Sequence, residues 1–567
     1  MHPFQFKRRT AFSLVVLGLI CFGFLSGALA VTPPPDGGYP NNNTAEGTNA
    51  LFSLTTGSDN TAVGLIALGL NLVGSDNTAV GTAALLNNTA SQNTATGSFA
   101  LFSNVSGTGN TAVGFAALFS NSSPSPGQGD NNTAVGLLGL ANNTTGSRNT
   151  SVGSQALLNN MEGIDNTAVG FNALMNNTTT NGNSGAVNTA VGSFALSSDT
   201  IGSSNTALGG SALQSNTIGD GNVAVGANAL ASNTEGGNNT AVGFSALTNN
   251  STGNGASGTD NTAVGFLALV GNTTGVENTA VGSHALENNN DSFDNTAVGF
   301  QALQANTEGF VNTAVGQGAL ISNKAGNANT AIGVNALGSN TTSGDASGNS
   351  NTAVGMNALA FNTVGSNNIG LGNGAGQSLT VGGSNIDIGN TGGAGDESNT
   401  IRIGSGQSKT FIAGIRGTTT GNADAIAVVI DSAGQLGTVS SSERFKREIK
   451  PMDKSSEALF ALKPVTFHYK NDDKGIPQFG LIAEEVSKVT PDLVVRDTDG
   501  KPYTVRYDAV NAMLLNEFLK EHQKVEKLEA ALAAVNERLE AQDAKIDRVN
   551  AKGELAKPAP QTVLNSQ

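Results

Sequence analysis

One phrase, N-T-A-V-G-x-x-A-L-x-x-N-T-x-G, returns with a period of 17 residues, once 16 and sometimes 22, through most of this 567-residue chain. Clear copies begin at Asn60, Asn77, Asn93 and Asn110 and continue to Asn351; a weaker copy begins at Asn43, and degenerate copies at Asn368, Asn385 and Asn399. The longer spacings are Gly/Ser/Asn-rich insertions such as "NSSPSPGQGDN", always between the Ala-Leu pair and the next N-T-A. A fixed core with insertions at one phase describes a stack of identical units that share a loop face.

The unit is too short and too rich in Gly and Asn for a helical repeat. T-A-V reads as a short strand, Gly as a turn, x-A-L as a second strand, and N-N-T-x-G as a wider turn. That is one coil of a parallel β-solenoid. About twenty coils at a strand spacing of about 4.8 Å give a rod of roughly 100 Å. Alternation alone leaves open whether Thr/Val or Ala/Gly faces inward, and a helical turn at x-x-A-L fits the same four residues. An ordered ladder of Thr and Asn along the rod is expected from their recurrence in every coil.

Composition narrows what such a rod does. The chain has 74 Gly, no Trp, 4 Tyr and a net charge of −15. Between Asn43 and Ala360 there are sixteen acidic residues and two basic ones, Arg148 and Lys324, so this region cannot neutralise phosphates and is not expected to bind nucleic acid. Acids such as Asp59, Asp76, Asp165, Asp260 and Asp294 stand just before N-T-A and read as solvated turn residues, without the paired geometry that glycoside cleavage requires. No metal or cofactor site is read. The partner expected for the rod, beyond other copies of the chain, is a cell-surface or glycan target.

The N-terminus reads as an export signal over residues 1–30. Lys7-Arg8-Arg9 precede the apolar run from Ala11, which ends Ala28-Leu29-Ala30. An exported protein at the cell surface or outside the cell is expected; the alternative is an uncleaved transmembrane anchor. Cys21, the only cysteine, lies inside this run, so the mature chain would have neither disulfide nor thiolate chemistry. Residues 31–42 read as a disordered linker and 43–404 as the solenoid. The junction 405–440 carries "KTFIAGIRG" and "AIAVVIDSAGQLGTVSS", both read as strands, the second as a hairpin around Ser432-Ala433-Gly434.

At "SSSERFKREI" the composition breaks, and twenty of the 28 basic residues lie from Glu443 onward. Two readings compete. Ser440 and Glu443 fit a capping box opening a helix through Ile449. Alternatively, Ser441 and Lys446 form a nucleophile–base pair, which requires a turn between them because residues five apart on a flat strand face opposite ways. Further on, Ser456–Leu462 and Leu481–Val489 read as helices, Val465–Tyr469 as a strand, and 493–496 with 503–506 as a hairpin turning at Asp499-Gly500. His468 reads as an ordinary strand residue. From Asp508 a long helix carries Leu514, Phe518, Val525, Leu528, Leu532, Val535, Leu539, Ile546 and Val549 on four- and three-residue steps, a heptad seam. The segment 523–550 is expected to form a coiled coil and 551–567 a disordered tail.

Two resemblances add to these readings. The repeats resemble the head repeats of trimeric autotransporter adhesins, which implies parallel β-rolls assembled as trimers. From "SSERFKREIKPM" to "NEFLKEH", about residues 441–522, the chain resembles the intramolecular-chaperone, auto-processing peptidase domain at the end of phage tail spikes and fibres. That resemblance implies Ser441 as nucleophile, Lys446 as base, a cut between Ser440 and Ser441, and a homotrimer. Ser442 stands where the family motif often has Asp. The reading as a whole is a mainly β chain: a β-solenoid rod, a small α+β chaperone and single-turnover autocatalytic serine endopeptidase domain, and a coiled-coil end. Its rival is an uncleaved structural adhesin whose C-terminal domain only trimerises.

Overall fold

The computed structural model describes residues 39–122, 125–178, 185–250, 258–341, 348–415, 420–421, 424–431 and 433–554. The expected export signal, most of the linker, Ser432 and the tail beyond residue 554 lie outside them. The chain divides into two compact units, 1–410 and 411–567.

The first unit is the solenoid. Strands β1 (Thr44–Glu46) to β21 (Ile401–Ile403) are each three residues long, and each pairs in parallel with the strand of the next coil. The register is that of the repeat: Thr61 opposite Thr78, Ala62 opposite Ala79, Val63 opposite Val80. The five-residue insertions do not disturb it, since Thr240 pairs with Thr262 and Val242 with Val264.

Ala faces inward; Thr and Val face out. Ala62, Ala67 and Leu68 are wholly buried, and the same three positions form one continuous core column from coil to coil. A one-methyl residue on the strand leaves room for the Leu of the opposite wall, which suits so thin a coil.

The x-A-L segment is not a second strand. It forms turns in which Leu68 has φ 50° and Ile66 φ 52°, and the same left-handed Leu recurs along the rod. A non-glycine residue there costs roughly 1–2 kcal/mol. Full burial of a Leu side chain returns about 1.5–3 kcal/mol. The Leu68 amide also donates to Ala84 O of the next coil at 3.0 Å. Burial and inter-coil bonding therefore override the local preference for an extended backbone.

The glycine after T-A-V is required twice over. Gly64 has φ +135°, and a Cβ on it would stand 2.5 Å from Gly81 O of the next coil.

Asparagine holds the coils closed. Asn60 Nδ2 and Asn71 Nδ2 both donate to Gly74 O at 2.9 Å, filling its two lone pairs. The Asn77 amide donates to Asn60 Oδ1 at 3.1 Å, linking one coil to the next. The second asparagine of each coil forms its own column: Asn104 Nδ2 donates to Asn88 Oδ1 at 2.7 Å and Asn121 Nδ2 to Asn104 Oδ1 at 2.6 Å. Both columns are buried, and most of their amide groups satisfy one another where water cannot.

The C-terminal end of the stack is polar inside. The inward strand position becomes Gly370, Asp387 and then Arg402, which is paired with Glu397. Burial pushes the Asp387 carboxyl up to about 6, with Arg402 opposing the shift. An apolar column that ends in charge has a capped end.

The second unit is small and α+β. A hairpin joins β22 (Val429–Ile430) to β23 (Leu436–Gly437). The stretch "KTFIAGIRG", expected as a strand, forms none over its described residues 409–415. After a 3-10 turn at Glu443–Phe445 and a 3-10 helix at Asp453–Ala461, β24 (Val465–Phe467) pairs with β25 (Gln478–Gly480). Helix α1 (Ala483–Val489) leads to the hairpin of β26 (Val494–Arg496) and β27 (Pro502–Val505), turning through Asp499-Gly500. Helix α2 runs without a break from Tyr507 to Glu554. Among the described residues the core is Val486, Leu493, Val505 and Met513 with partly buried neighbours.

Candidate functional site

The composition break becomes a single tight turn. Ser442 is extended, Glu443–Phe445 form one 3-10 turn, and the Lys446 amide donates to Glu443 O at 2.9 Å. The capping-box helix does not form: Ser442, not Ser440, stands at the N-cap, with no side-chain cap bond. The Ser440 hydroxyl instead accepts from the Ser442 amide at 3.3 Å. Glu448 has φ 55°, which stops any helix before Ile449.

That turn lies between Ser441 and Lys446, where the nucleophile–base reading needs one. Both side chains are exposed, and among the described residues no hydrogen bond joins them. Around them Phe445 and Ile449 are exposed too, and the Arg444 guanidinium lies 4.8 Å from the centre of the Phe445 ring. His468 follows β24, and no cluster of metal-ligating side chains occurs among the described residues.

Sequence reasoning missed a buried polar cluster. Ser456, wholly buried on the 3-10 helix, donates to Glu517 Oε1 at 2.5 Å. Asn516 Nδ2 donates to Ser456 Oγ at 2.6 Å, and Lys520 Nζ to Glu517 Oε1 at 2.6 Å. The lysine and serine bonds hold the Glu517 carboxyl below its ordinary range. These contacts bridge about sixty positions of sequence, so no local pattern announces them. They fasten the 3-10 helix to α2.

Helix α2 uses that side, with Met513, for its own unit. The heptad seam is a different face, and among the described residues of this unit nothing covers it: Leu514, Phe518, Val525, Leu528, Leu532 and Val549 are all exposed. An apolar groove of about 680 Å³ lies beside the start of the helix, lined by Leu459, Val465, Phe479, Leu481, Tyr507 and Leu514.

Residues 441–495 match the model of the endosialidase-chaperone peptidase family, and the match begins on Ser441 itself. No curated protein matches the chain, and no solved structure does. A parallel β-solenoid followed by an endosialidase-chaperone segment is the organisation of a tail-fibre-like protein.

Proposed function

We propose that the C-terminal unit gathers three copies of this chain through the α2 seam, brings their solenoids into register, and then cuts itself off. The observation that carries this reading is the family match, whose first residue is the expected nucleophile. The uncovered heptad seam supports the self-association. In the reaction, the Ser441 hydroxyl attacks the carbonyl carbon of Ser440 while Lys446 takes the hydroxyl proton. The Ser440–Ser441 peptide bond breaks, Lys446 returns the proton to Ser441 nitrogen, which leaves as an amine, and an ester joins Ser440 to Ser441 Oγ. Water then hydrolyses the ester. A lysine acts as base only in its neutral form, which burial favours. In the single chain Lys446 is exposed, so the dyad is completed when the turn and its Phe445 and Ile449 are covered by a neighbouring copy. Losing the assembly unit makes the trimer slow to come apart.

The protein is read as exported, its rod carrying the target-binding surface for a cell surface or glycan. The full chain and its Ser441→Ala and Lys446→Ala variants, compared on a denaturing gel, test the cleavage. Two fragments in the parent and one band in each variant are expected. A single band in the parent favours the second reading, an uncleaved fibre, which the exposure of both side chains in the single chain also supports.

A further inference from the structure

The solenoid carries two threonine columns, and among the described residues one of them bonds within the chain and the other does not. In the wide turn, threonine hydroxyls are spent on the next coil: Thr200 Oγ1 donates to Thr217 O at 2.7 Å and Thr217 Oγ1 to Thr234 O at 2.8 Å. The threonines of T-A-V make no such bond. Among the described residues, the hydroxyls of Thr206, Thr240, Thr262 and their equivalents have no partner within the chain. They stand in line on the outer face of the sheet, beside the outward column of Val63, Val80, Val113 and their successors.

This outer face is almost free of charge. In both outward strand columns the only charged residue is Glu46, on the first strand. Across the turn glycine the next column adds Phe115, Phe171, Phe244, Phe266, Phe300 and Met356, each about half exposed. At the C-terminal end threonine gives way to isoleucine: the rungs become Ile369/Leu371, Ile386/Ile388 and Ile401/Ile403. Ile401 and Ile403 are 66% and 71% exposed. The face is therefore most apolar on the rungs next in sequence to the unit that gathers chains.

Its size is that of an interface. Twenty-one strands at about 4.8 Å, each three residues wide at about 3.3 Å, make a strip of about 1,000 Å². A stable partner surface needs about 800 Å² on each side. The rows of exposed Phe and Ile, the lack of charge and the regular repeat fit an identical surface meeting itself, rather than a charged or sugar-like partner.

We infer that the Thr/Val face of β1–β21 is the seam along which three copies of this chain pack, facing a common three-fold axis, with the isoleucine rungs at its C-terminal end closing first. This rests on the trimeric reading above and names the surface that reading leaves open. Near a three-fold axis each residue meets its own copy, so a single cysteine on the seam pairs with itself. The chain supplies the blank for this test, since Cys21 is its only cysteine. In the full chain with Cys21→Ser, Val281→Cys and Ile403→Cys are each expected to give a covalent dimer band with a short bismaleimide. Leu70→Cys, exposed in the turn after the Ala-Leu pair, is expected to give none. Sedimentation of the same samples reports the assembly. A trimeric mass with crosslinks at the two seam positions supports the inference. A trimeric mass without them overturns the seam and leaves the trimer standing. A monomeric mass overturns both.

Discussion

Asn177 Oδ1 and Asp199 Oδ2, on neighbouring rungs of the second asparagine column, are both buried, and among the described residues neither has a hydrogen-bond partner. On adjoining rungs the bond runs from amide to carbonyl, as from Asn177 Nδ2 to Asn160 Oδ1 at 2.6 Å and from Asn216 Nδ2 to Asp199 Oδ1 at 2.7 Å. Aspartate has no amide, so only a proton on Oδ2 completes the rung. Burial, with the nearby Asp220 adding to it, pushes this carboxyl up to about 8, against the opposing bond from Asn216.

The rung therefore titrates. An unfolded aspartate ionises near 4, so between about pH 4 and about pH 8 the folded coil holds one more proton than the unfolded chain. Stability falls as pH rises through that window, and the contribution is lost above the folded value. Asp199→Asn supplies the missing donor and is expected to stabilise the surrounding coils by about 1–3 kcal/mol near pH 8. Hydrogen exchange at the Leu196 and Leu213 amides, followed against pH, checks this: the parent's protection declines with pH and the variant's does not.

Removing an asparagine from the first column leaves a buried backbone amide stranded. Asn222 Oδ1 accepts from the Asn239 amide at 3.0 Å and Asn222 Nδ2 donates to Gly236 O at 2.8 Å. Asn222→Ala orphans the buried Asn239 amide, while Gly236 O keeps the bond from Asn233 Nδ2 at 2.9 Å; the expected cost is about 2 kcal/mol. In a stack whose coils touch only their neighbours the loss stays local. A new protease-sensitive site near residue 222, with protection unchanged toward Asn60, is the expected readout.

The two threonine columns should respond differently to the same change. Thr217→Val removes a bond to Thr234 O and is expected to cost about 1 kcal/mol. Thr240→Val removes none, and Val223 already occupies the equivalent place on its strand, Val223–Val225. Local unfolding free energies from hydrogen exchange would separate them, the second lying within experimental error of the parent.

In the C-terminal unit, Glu517→Gln breaks the charge-assisted bonds to Lys520 and Ser456. Because the carboxyl is held below its ordinary range, its contribution is present above the unfolded value near 4.5 and is lost as pH falls through the folded value. The variant should melt lower than the parent at neutral pH, and the difference should vanish in acid. A difference that persists at low pH would point to packing instead of charge.

The repeat makes the strand T-A-V, the parallel stacking and the loop-side insertions legible in the sequence, because strict recurrence leaves in-register stacking as the simplest arrangement. The Ala-Leu pair was misread as a strand. Its left-handed leucine is set by bonds to the next coil and by burial, and neither is visible in four residues. The direction of the strand faces was undecided for a related reason: Thr and Val against Ala and Gly alternate equally well either way, and only the Leu of the opposite wall breaks the tie. Asp199 could have been found by aligning the copies, where it alone puts an acid in an asparagine column. Ser456 and Glu517 could not, since a turn of helix and a distant heptad carry no mark of each other. The 3-10 turn at Glu443–Phe445 replaced a plausible capping box because Ser440 uses its hydroxyl on the Ser442 amide.

The account turns on whether the chain cuts itself before Ser441. Intact-mass analysis of the purified full-length product addresses this directly. The account predicts a C-terminal fragment whose first residue is Ser441, and its loss in Ser441→Ala. A single uncut mass from correctly assembled parent protein would contradict it.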